Sequence, residues 1–263
     1  MDTLILGSGP AGLITGAALA ARGHRVVSVD RDSGPAPDGS WPRRGVMQFE
    51  HAHGFRSQVG EVLSRQWPAG LQAWLAEGAE PITLTVPQAG EVTIGHRSRR
   101  SSFDRALRAQ AEETAGLTLR TGHVDGLVVE AGRVTGALVD GRPVGADLVV
   151  DASGRSSRID RVGDPELDGA CGITYVDRTY RLRAGAEPGP LDNPLASDSQ
   201  YDGYEVLVFL HEAGHFSVLF VRPTADGDLK DLRHRAAFEA ACRAVPALAA
   251  WTDPERSVPT SPV

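Results

Sequence analysis

Gly7-Ser8-Gly9-Pro10-Ala11-Gly12 is a GxGxxG hexapeptide whose glycines are spaced to hold a phosphate. The pattern has meaning only between a strand and a helix. Thr3 to Leu6, just before it, is a short apolar run that reads as a buried strand. Pro10 to Arg22, rich in Ala and Leu, reads as a helix closed by Gly23. Arg25 to Val29 reads as a second strand that ends at Asp30, completing a βαβ unit. In such a unit Gly7 permits the tight turn, Gly9 lets a pyrophosphate approach the backbone, and Gly12 lets the helix pack closely. The free N–H groups and the positive end of the helix dipole attract phosphate charge. Pro10 lacks an N–H, which the first helical turn tolerates. A carboxylate at Asp30 can accept hydrogen bonds from ribose hydroxyls and would repel a 2′-phosphate, which favours FAD or NAD over NADP, with Arg31 moderating that preference.

Other residues that could do chemistry have plainer readings. His51 and His53 alternate as two metal ligands might, but no third ligand lies nearby, so flavin-side or structural hydrogen bonding is expected. His211-Glu-Ala-Gly-His215 spells HExxH, yet Gly214 and the flanking strands put it in a turn, where the zinc reading has no support. Ser153 and Ser156 follow no nucleophile elbow. Cys171 and Cys242 form no CxxC, which argues against a dithiol centre or a thiolate metal site and suits a reducing cytoplasm. No metal and no catalytic acid or base is assigned.

The elements that must position these residues follow from pattern. Asp32 to Trp41 is a Pro/Gly/Asp-rich loop, and Phe55 to Leu63 and Leu71 to Leu75 read as short helices. Ile82 to Val86 and Val92 to Ile94 read as strands, and Ser101 to Ala115 as a helix in which Ser101 and Asp104 resemble a capping box. Val124 to Val129 and Val134 to Val139 turn at Ala131-Gly132 and lead on to a buried strand at Leu148 to Val150. Ile173 to Leu182, Tyr204 to Leu210 and Phe216 to Val221 read as antiparallel strands, with a polar segment from Ala184 to Asp202 between the first and the pair. Phe238 to Leu248 reads as one helix. Tyr175, Tyr180, Phe209, Phe216 and Phe220 either line an apolar pocket or form plain core.

The stretch from the glycine turn through Asp30-Arg31 resembles the FAD-binding start of the para-hydroxybenzoate hydroxylase superfamily. Pro42-Arg43-Arg44-Gly45 with His51-Ala-His53, Arg100-Ser-Ser-Phe-Asp104, and Asp151-Ala-Ser-Gly-Arg155-Ser-Ser-Arg158 resemble later segments of that family. The resemblance implies that Gly7, Gly9, Pro10, Ala11, Gly12, Asp30 and Arg31 meet the ADP half of FAD. It places Arg44 and Gly45 along the pyrophosphate and flavin, Arg100 on the FAD from the helix after it, Val124 at the adenine and Asp151 near the pyrophosphate. Arginine's planar fork suits phosphate oxygens at positions 44 and 100. Position 152 is Ala where the family has Gly, which bears on nicotinamide donor binding.

The implied fold is α/β: a Rossmann-like FAD-binding domain with a parallel sheet and a β meander, plus a mostly antiparallel substrate-domain sheet. The FAD-binding domain is expected over 1–165, with an inserted segment at about 65–98, and the substrate-domain sheet, as floor of a substrate cavity, over 166–263. The implied activity is FAD-dependent, oxygen-dependent hydroxylation or epoxidation of a small organic substrate, with NADPH or NADH as electron donor. The family's last FAD motif, an apolar strand followed by Gly-Asp-Ala, is expected beyond Ser261-Pro262-Val263, so the chain reads as truncated, with a complementing C-terminal chain as a partner. A catalytically inactive nucleotide-binding remnant and a flavin-dependent isoprenoid reductase are the alternatives. A flavin halogenase is set aside, because Lys230 is the only lysine and no Trp-rich motif occurs.

The bulk numbers agree with this class. The 263 residues suffice for one large or two modest domains, and 41% hydrophobic with 23% charged residues is ordinary for a globular protein. A net charge of −7 without a basic tract disfavours nucleic acid and anionic membrane as partners. No apolar run approaches the roughly 20 residues of a membrane span.

Overall fold

The computed structural model describes every residue except Arg44, Arg158, residues 160–168 and Leu195. In chain order the regular elements begin with β1 (Asp2–Leu6), α1 (Pro10–Ala20), β2 (Arg25–Asp30), β3 (Phe55–Arg56), α2 (Ser57–Gln66) and α3 (Pro68–Ala76). There follow β4 (Glu80–Val86), β5 (Gly90–Arg97), α4 (Arg100–Glu112), β6 (Leu117–Thr121), β7 (Val124–Glu130), β8 (Arg133–Val139), β9 (Arg142–Gly145) and β10 (Leu148–Asp151). The remainder comprises β11 (Ile173–Leu182), β12 (Ala196–Tyr201), β13 (Tyr204–Leu210), β14 (His215–Pro223), α5 (Arg235–Ala244), α6 (Pro246–Thr252) and β15 (Ser257–Pro259). Among the described residues no helix is long and apolar enough to cross a membrane.

The chain divides into two compact units. The first comprises Met1–Val46, Gly60–Glu77 and Ser102–Glu166. Its parallel sheet runs β10-β1-β2-β6, with Leu6 paired to Asp151 and to Val29. The βαβ unit expected from the glycine turn is therefore present, and β7-β8-β9 form an antiparallel meander between β6 and β10. Leu4, Leu6 and Val29 pack against Ala137 and Val139 of that meander. Gly16 on α1 lies over the sheet so closely that an added Cβ would stand 2.9 Å from Leu117 Cδ1.

The second unit comprises Met47–Val59, Gly78–Ser101 and Leu167–Val263. Its main sheet is antiparallel and runs β12-β13-β14-β11-β15. Strand alternation gives this sheet two unlike faces. Tyr180, Phe216, Val218 and Phe220 point to one face and pack against Phe238, Leu248 and Trp251 of α5 and α6. Tyr180, Phe216 and Phe220 are thus core side chains, whereas Tyr175 is 61% exposed. The opposite face carries Asp177 and Thr179 of β11 and Ser217 of β14, all buried.

Several local readings are corrected. Phe55-Arg56 pair with β5 as a short strand before α2 begins. Helix α4 starts at Arg100, so Ser101 lies inside it and cannot be its N-cap. The polar segment before β13 contains β12, Ala196–Tyr201, which begins buried, ends exposed and finds its partners on β13. Phe238 to Leu248 is two helices, because Pro246 forces Val245 into an extended conformation. Leu148 of β10 is 37% exposed rather than buried.

Candidate functional site

The glycine turn sits at the end of β1 in the first unit. The Gly7 N–H donates to the Val29 carbonyl at 2.7 Å, so the backbone pairing of β1 with β2 runs up to the turn. Gly7 has φ +110°, a conformation closed to side chains, and a Cβ there would strike the Ala152 carbonyl. A Cβ on Gly12 would strike the Gly7 carbonyl, so this glycine serves the contact of helix with turn. Gly9 differs, because a Cβ built on it meets nothing within 4 Å. No protein atom requires a glycine there, and the space beside it is open. Gly9 is the extended N-cap of α1, Pro10 opens the helix, and no side chain caps its first turn. The N–H groups of that turn have no intrahelical acceptors.

Asp30 braces the turn from the end of β2. Its Oδ2 accepts the Ser8 N–H at 2.7 Å and its Oδ1 accepts the Asp32 N–H at 2.9 Å. The Ser8 and Ser28 hydroxyls pair at 2.9 Å beneath it. Beside this turn lies a cavity of about 370 Å³, lined among others by Gly7, Asp30, Arg31, His123, Val124 and Ser153. Four of the residues singled out from the sequence, Gly7, Asp30, Arg31 and Val124, therefore face one space.

The remaining expected residues are placed as follows. Ala11 is exposed on the first turn of α1. The Arg31 guanidinium lies over Gly45, where a Cβ would come within 2.8 Å of it. Asp151 ends β10 beside Leu6, and its carboxylate accepts the Ser153 N–H at 2.9 Å and the Ser157 hydroxyl at 2.7 Å, closing the following turn. Arg44 and Arg158 lie outside the described residues. Arg100 belongs to the second unit, where its charge acts on His53.

Sequence reasoning passed over Arg43 in favour of its neighbour. Arg43 is 5% exposed and bonds Asp32 at 2.8 Å and Asp104 at 2.5 Å. Burial raises the Asp32 carboxyl, but hydrogen bonds from Trp41, the Gly34 N–H and Arg43 outweigh it and hold the group below its ordinary value. The lining residue His123 was also missed, and Ser153 had been weighed only as a nucleophile. His123 stands next to Val124, and adjacency was its only signal, whereas Ser153 belongs to the segment that begins at Asp151.

The histidines of the second unit have partners of their own. His211 Nε2 lies 2.8 Å from the Ser217 hydroxyl, and Glu212 takes the Arg99 backbone N–H at 2.7 Å and its Nε at 2.8 Å. The HExxH text therefore spans a one-turn 3-10 helix at the β13–β14 connection. Burial pushes both His53 and His211 down to about 4, aided at His53 by the Arg100 charge. Each stays neutral in the fold but protonates near 6.5 when unfolded, so the unfolded chain binds more protons between those values. Stability should fall as pH drops from about 6.5 to about 4, with a slope approaching 1.4 kcal/mol per pH unit for each such site. Urea unfolding across that range should show a shallower slope for His211→Gln, and an unchanged slope would refute the assignment.

The sequence model of the lycopene cyclase protein family matches residues 2–174, which include the glycine turn, the cavity and Asp151. The chain belongs to this family. A bifunctional enzyme of tRNA 5-methylaminomethyl-2-thiouridine biosynthesis, MnmC of Pseudomonas entomophila, is 32% identical over 130 residues, covering 46% of this chain and 20% of that protein. Among solved structures, the peptidyl tryptophan dihydroxylase QhpG superposes with TM-score 0.61 at 21% identity, over 98% of this chain and 55% of that one. The myxobacterial FAD-dependent halogenase CndH gives 0.66 at 18%, over 98% and 60%. PqsL of Pseudomonas aeruginosa, described as a probable FAD-dependent monooxygenase, gives 0.67 at 16%, over 99% and 73%. These likenesses establish the α/β fold of FAD-binding monooxygenases, and the chain spans a fifth of the curated relative and under two thirds of the first two structures.

Proposed function

We propose that the chain is an FAD-dependent oxidoreductase, a monooxygenase that hydroxylates or epoxidises a small organic substrate with oxygen. The observation that carries this reading is the open space at Gly9, set between an uncapped helix N-terminus and the cavity bounded by Asp30. A diphosphate there would meet the first-turn N–H groups of α1, at Ala11 and Gly12, and the positive helix end. Asp30 retains acceptor capacity for ribose hydroxyls after taking two backbone N–H groups. Arg31 and Val124 would bound the adenosine, and the resemblance adds Arg44, Gly45, Arg100 and Asp151 to the cofactor set. When bound, the flavin supplies electron transfer and oxygen activation, with electrons from NADPH or NADH. The first unit is the FAD-binding part, and the second unit's sheet bounds the substrate. Two free cysteines, exposed Cys171 and buried Cys242, suit a reducing cytoplasm.

The test is the visible spectrum of the purified chain after FAD is added and the excess removed. A retained flavin band is expected, and a colourless protein would overturn the reading. A second reading on the same cofactor is reduction of isoprenoid double bonds; the matched family is described by an isoprenoid, lycopene, which supports the substrate class of that reading and not its reaction. Anaerobic reoxidation of reduced flavin by an isoprenoid would select it, whereas oxygen-coupled NADPH or NADH oxidation selects the first.

A further inference from the structure

A cavity of about 570 Å³ lies wholly within the second unit, at the end of β11. A space of that size accommodates a small organic ligand. Among the described residues, Arg181 and Arg183 are the charged side chains that line it, and no carboxylate does. The chain carries 34 acidic against 27 basic residues, so two cations around one space without an acid depart from its average surface.

The β11–β15 ladder continues past Leu182, because the Arg183 N–H donates to the Arg256 carbonyl at 2.8 Å. Arg181 and Arg183 are therefore two positions apart on extended backbone and project to the same face. Arg183 Nε donates to the Pro254 carbonyl at 2.8 Å, which fixes the plane of the guanidinium and leaves its terminal nitrogens without a described partner. The Arg181 guanidinium makes no hydrogen bond or ion pair with any described residue. Two like charges held side by side repel each other, and a bound anion reverses the sign of that interaction.

Both walls are shaped without a ligand. On one side the β13–β14 turn closes through the His211 N–H on the His215 carbonyl at 2.8 Å. Its Glu212 carboxylate, 3% exposed, anchors the turn to the Arg99 N–H and Nε at 2.7 and 2.8 Å. Ala213 of this turn lines the cavity with φ +54°, a left-handed conformation that costs a residue with a Cβ roughly 1–2 kcal/mol. Strain of this kind collects where a segment is held in shape for a ligand. On the other side the Ala186 N–H on the Arg183 carbonyl at 3.0 Å closes a turn, which Arg256 pins through the Glu187 carbonyl at 2.6 Å. Leu182, Ala184, Ala186 and Val258 add apolar lining beside the two guanidiniums.

We propose that this cavity binds a small phosphate monoester, with the phosphate on Arg181 and Arg183 and an aliphatic body against Leu182 and Val258. The planar fork of each guanidinium matches phosphate oxygens. A phosphate monoester carries about −1.5 to −2 charges near pH 7, which balances two guanidiniums, whereas a carboxylate balances one. The apolar lining then favours an ester over inorganic phosphate, which would leave that surface wet. The proposal goes beyond the oxidoreductase reading and does not rest on it, since none of these residues is assigned to FAD.

Calorimetric titration with n-butyl phosphate, inorganic phosphate and butanoate, at low salt and about pH 7.5 where the ester is a dianion, tests the assignment. n-Butyl phosphate should bind at least about tenfold more tightly than either other probe. Arg181→Gln should weaken it at least about tenfold with the thermal midpoint unchanged, because that guanidinium holds nothing else in the fold. Gly9→Val, which fills the other candidate phosphate position, should bind the ester as wild type does. No heat of binding, equal affinity for inorganic phosphate or butanoate, or wild-type affinity in Arg181→Gln overturns the proposal. So does loss of binding in Gly9→Val with Arg181→Gln unaffected, which would place the ester at the glycine turn. Retention of flavin is read separately, so either result can fail without the other.

Discussion

Gly9→Val is expected to abolish retention of FAD while leaving the fold intact. A Cβ at position 9 meets no protein atom, and Gly9 has φ −75° and ψ 176°, which any residue adopts. The isopropyl group would instead fill the space where a diphosphate approaches the helix N-terminus. Affinity should fall at least about 100-fold, some 2.7 kcal/mol, with the thermal midpoint of the apo chain unchanged. Gly12→Val is the internal contrast, because its side chain would strike the Gly7 carbonyl and should cost folding as well as binding. Parallel FAD titrations and thermal melts separate the two cases. Wild-type affinity in Gly9→Val would remove the diphosphate from this turn.

Asp104→Ala should destabilise the chain by about 3–5 kcal/mol. Asp104 is 1% exposed and Arg43 5%, so the variant leaves a buried guanidinium with Asp32 as its remaining carboxylate. Replacing both partners, as Arg43→Met with Asp104→Leu, should recover part of the loss, since the buried guanidinium is gone while Asp32, which loses Arg43, keeps its hydrogen bonds from Trp41 and the Gly34 N–H. Urea denaturation of the three proteins measures this. A loss below about 1 kcal/mol in the single variant would place the pair with weak surface bridges.

The glycine turn was legible because its demands are local: Gly7 must take a positive φ, and the strand, helix and Asp30 follow within 24 residues of one another. The meander was legible for a similar reason, since Ala131-Gly132 and Asp140-Gly141 take the left-handed conformations that tight hairpins need. The break before Pro246 was also written in the sequence and was passed over. Strand β12 was not written there. Ala-Ser-Asp-Ser-Gln-Tyr has the composition of a loop, and only pairing with β13 makes it a strand. The same holds for side-chain partners. Asp104 reads as a helix-start residue until Arg43, 61 positions earlier, is seen against it, and Asp177 is an unremarked strand residue until His51 arrives from 126 positions away. Tyr180, Phe216 and Phe220 sit on the face of the sheet turned toward α5 and α6, and the opposite face carries Asp177, whose carboxylate meets His51.

The pairing of β1 with β10 also sets a schedule for synthesis. The Asp2 N–H reaches the Asp147 carboxylate across 145 residues, and Gly7 is packed against the Ala152 carbonyl. A ribosome delivers β1, α1 and β2 first, so one edge of β1 stays without its neighbour until more than half of the chain has emerged. The glycine turn proposed to hold a diphosphate is therefore completed late, because so distant a closure cannot precede the residues it joins. A nascent chain arrested before β10 should carry the entire GxGxxG text and still be unable to hold the nucleotide.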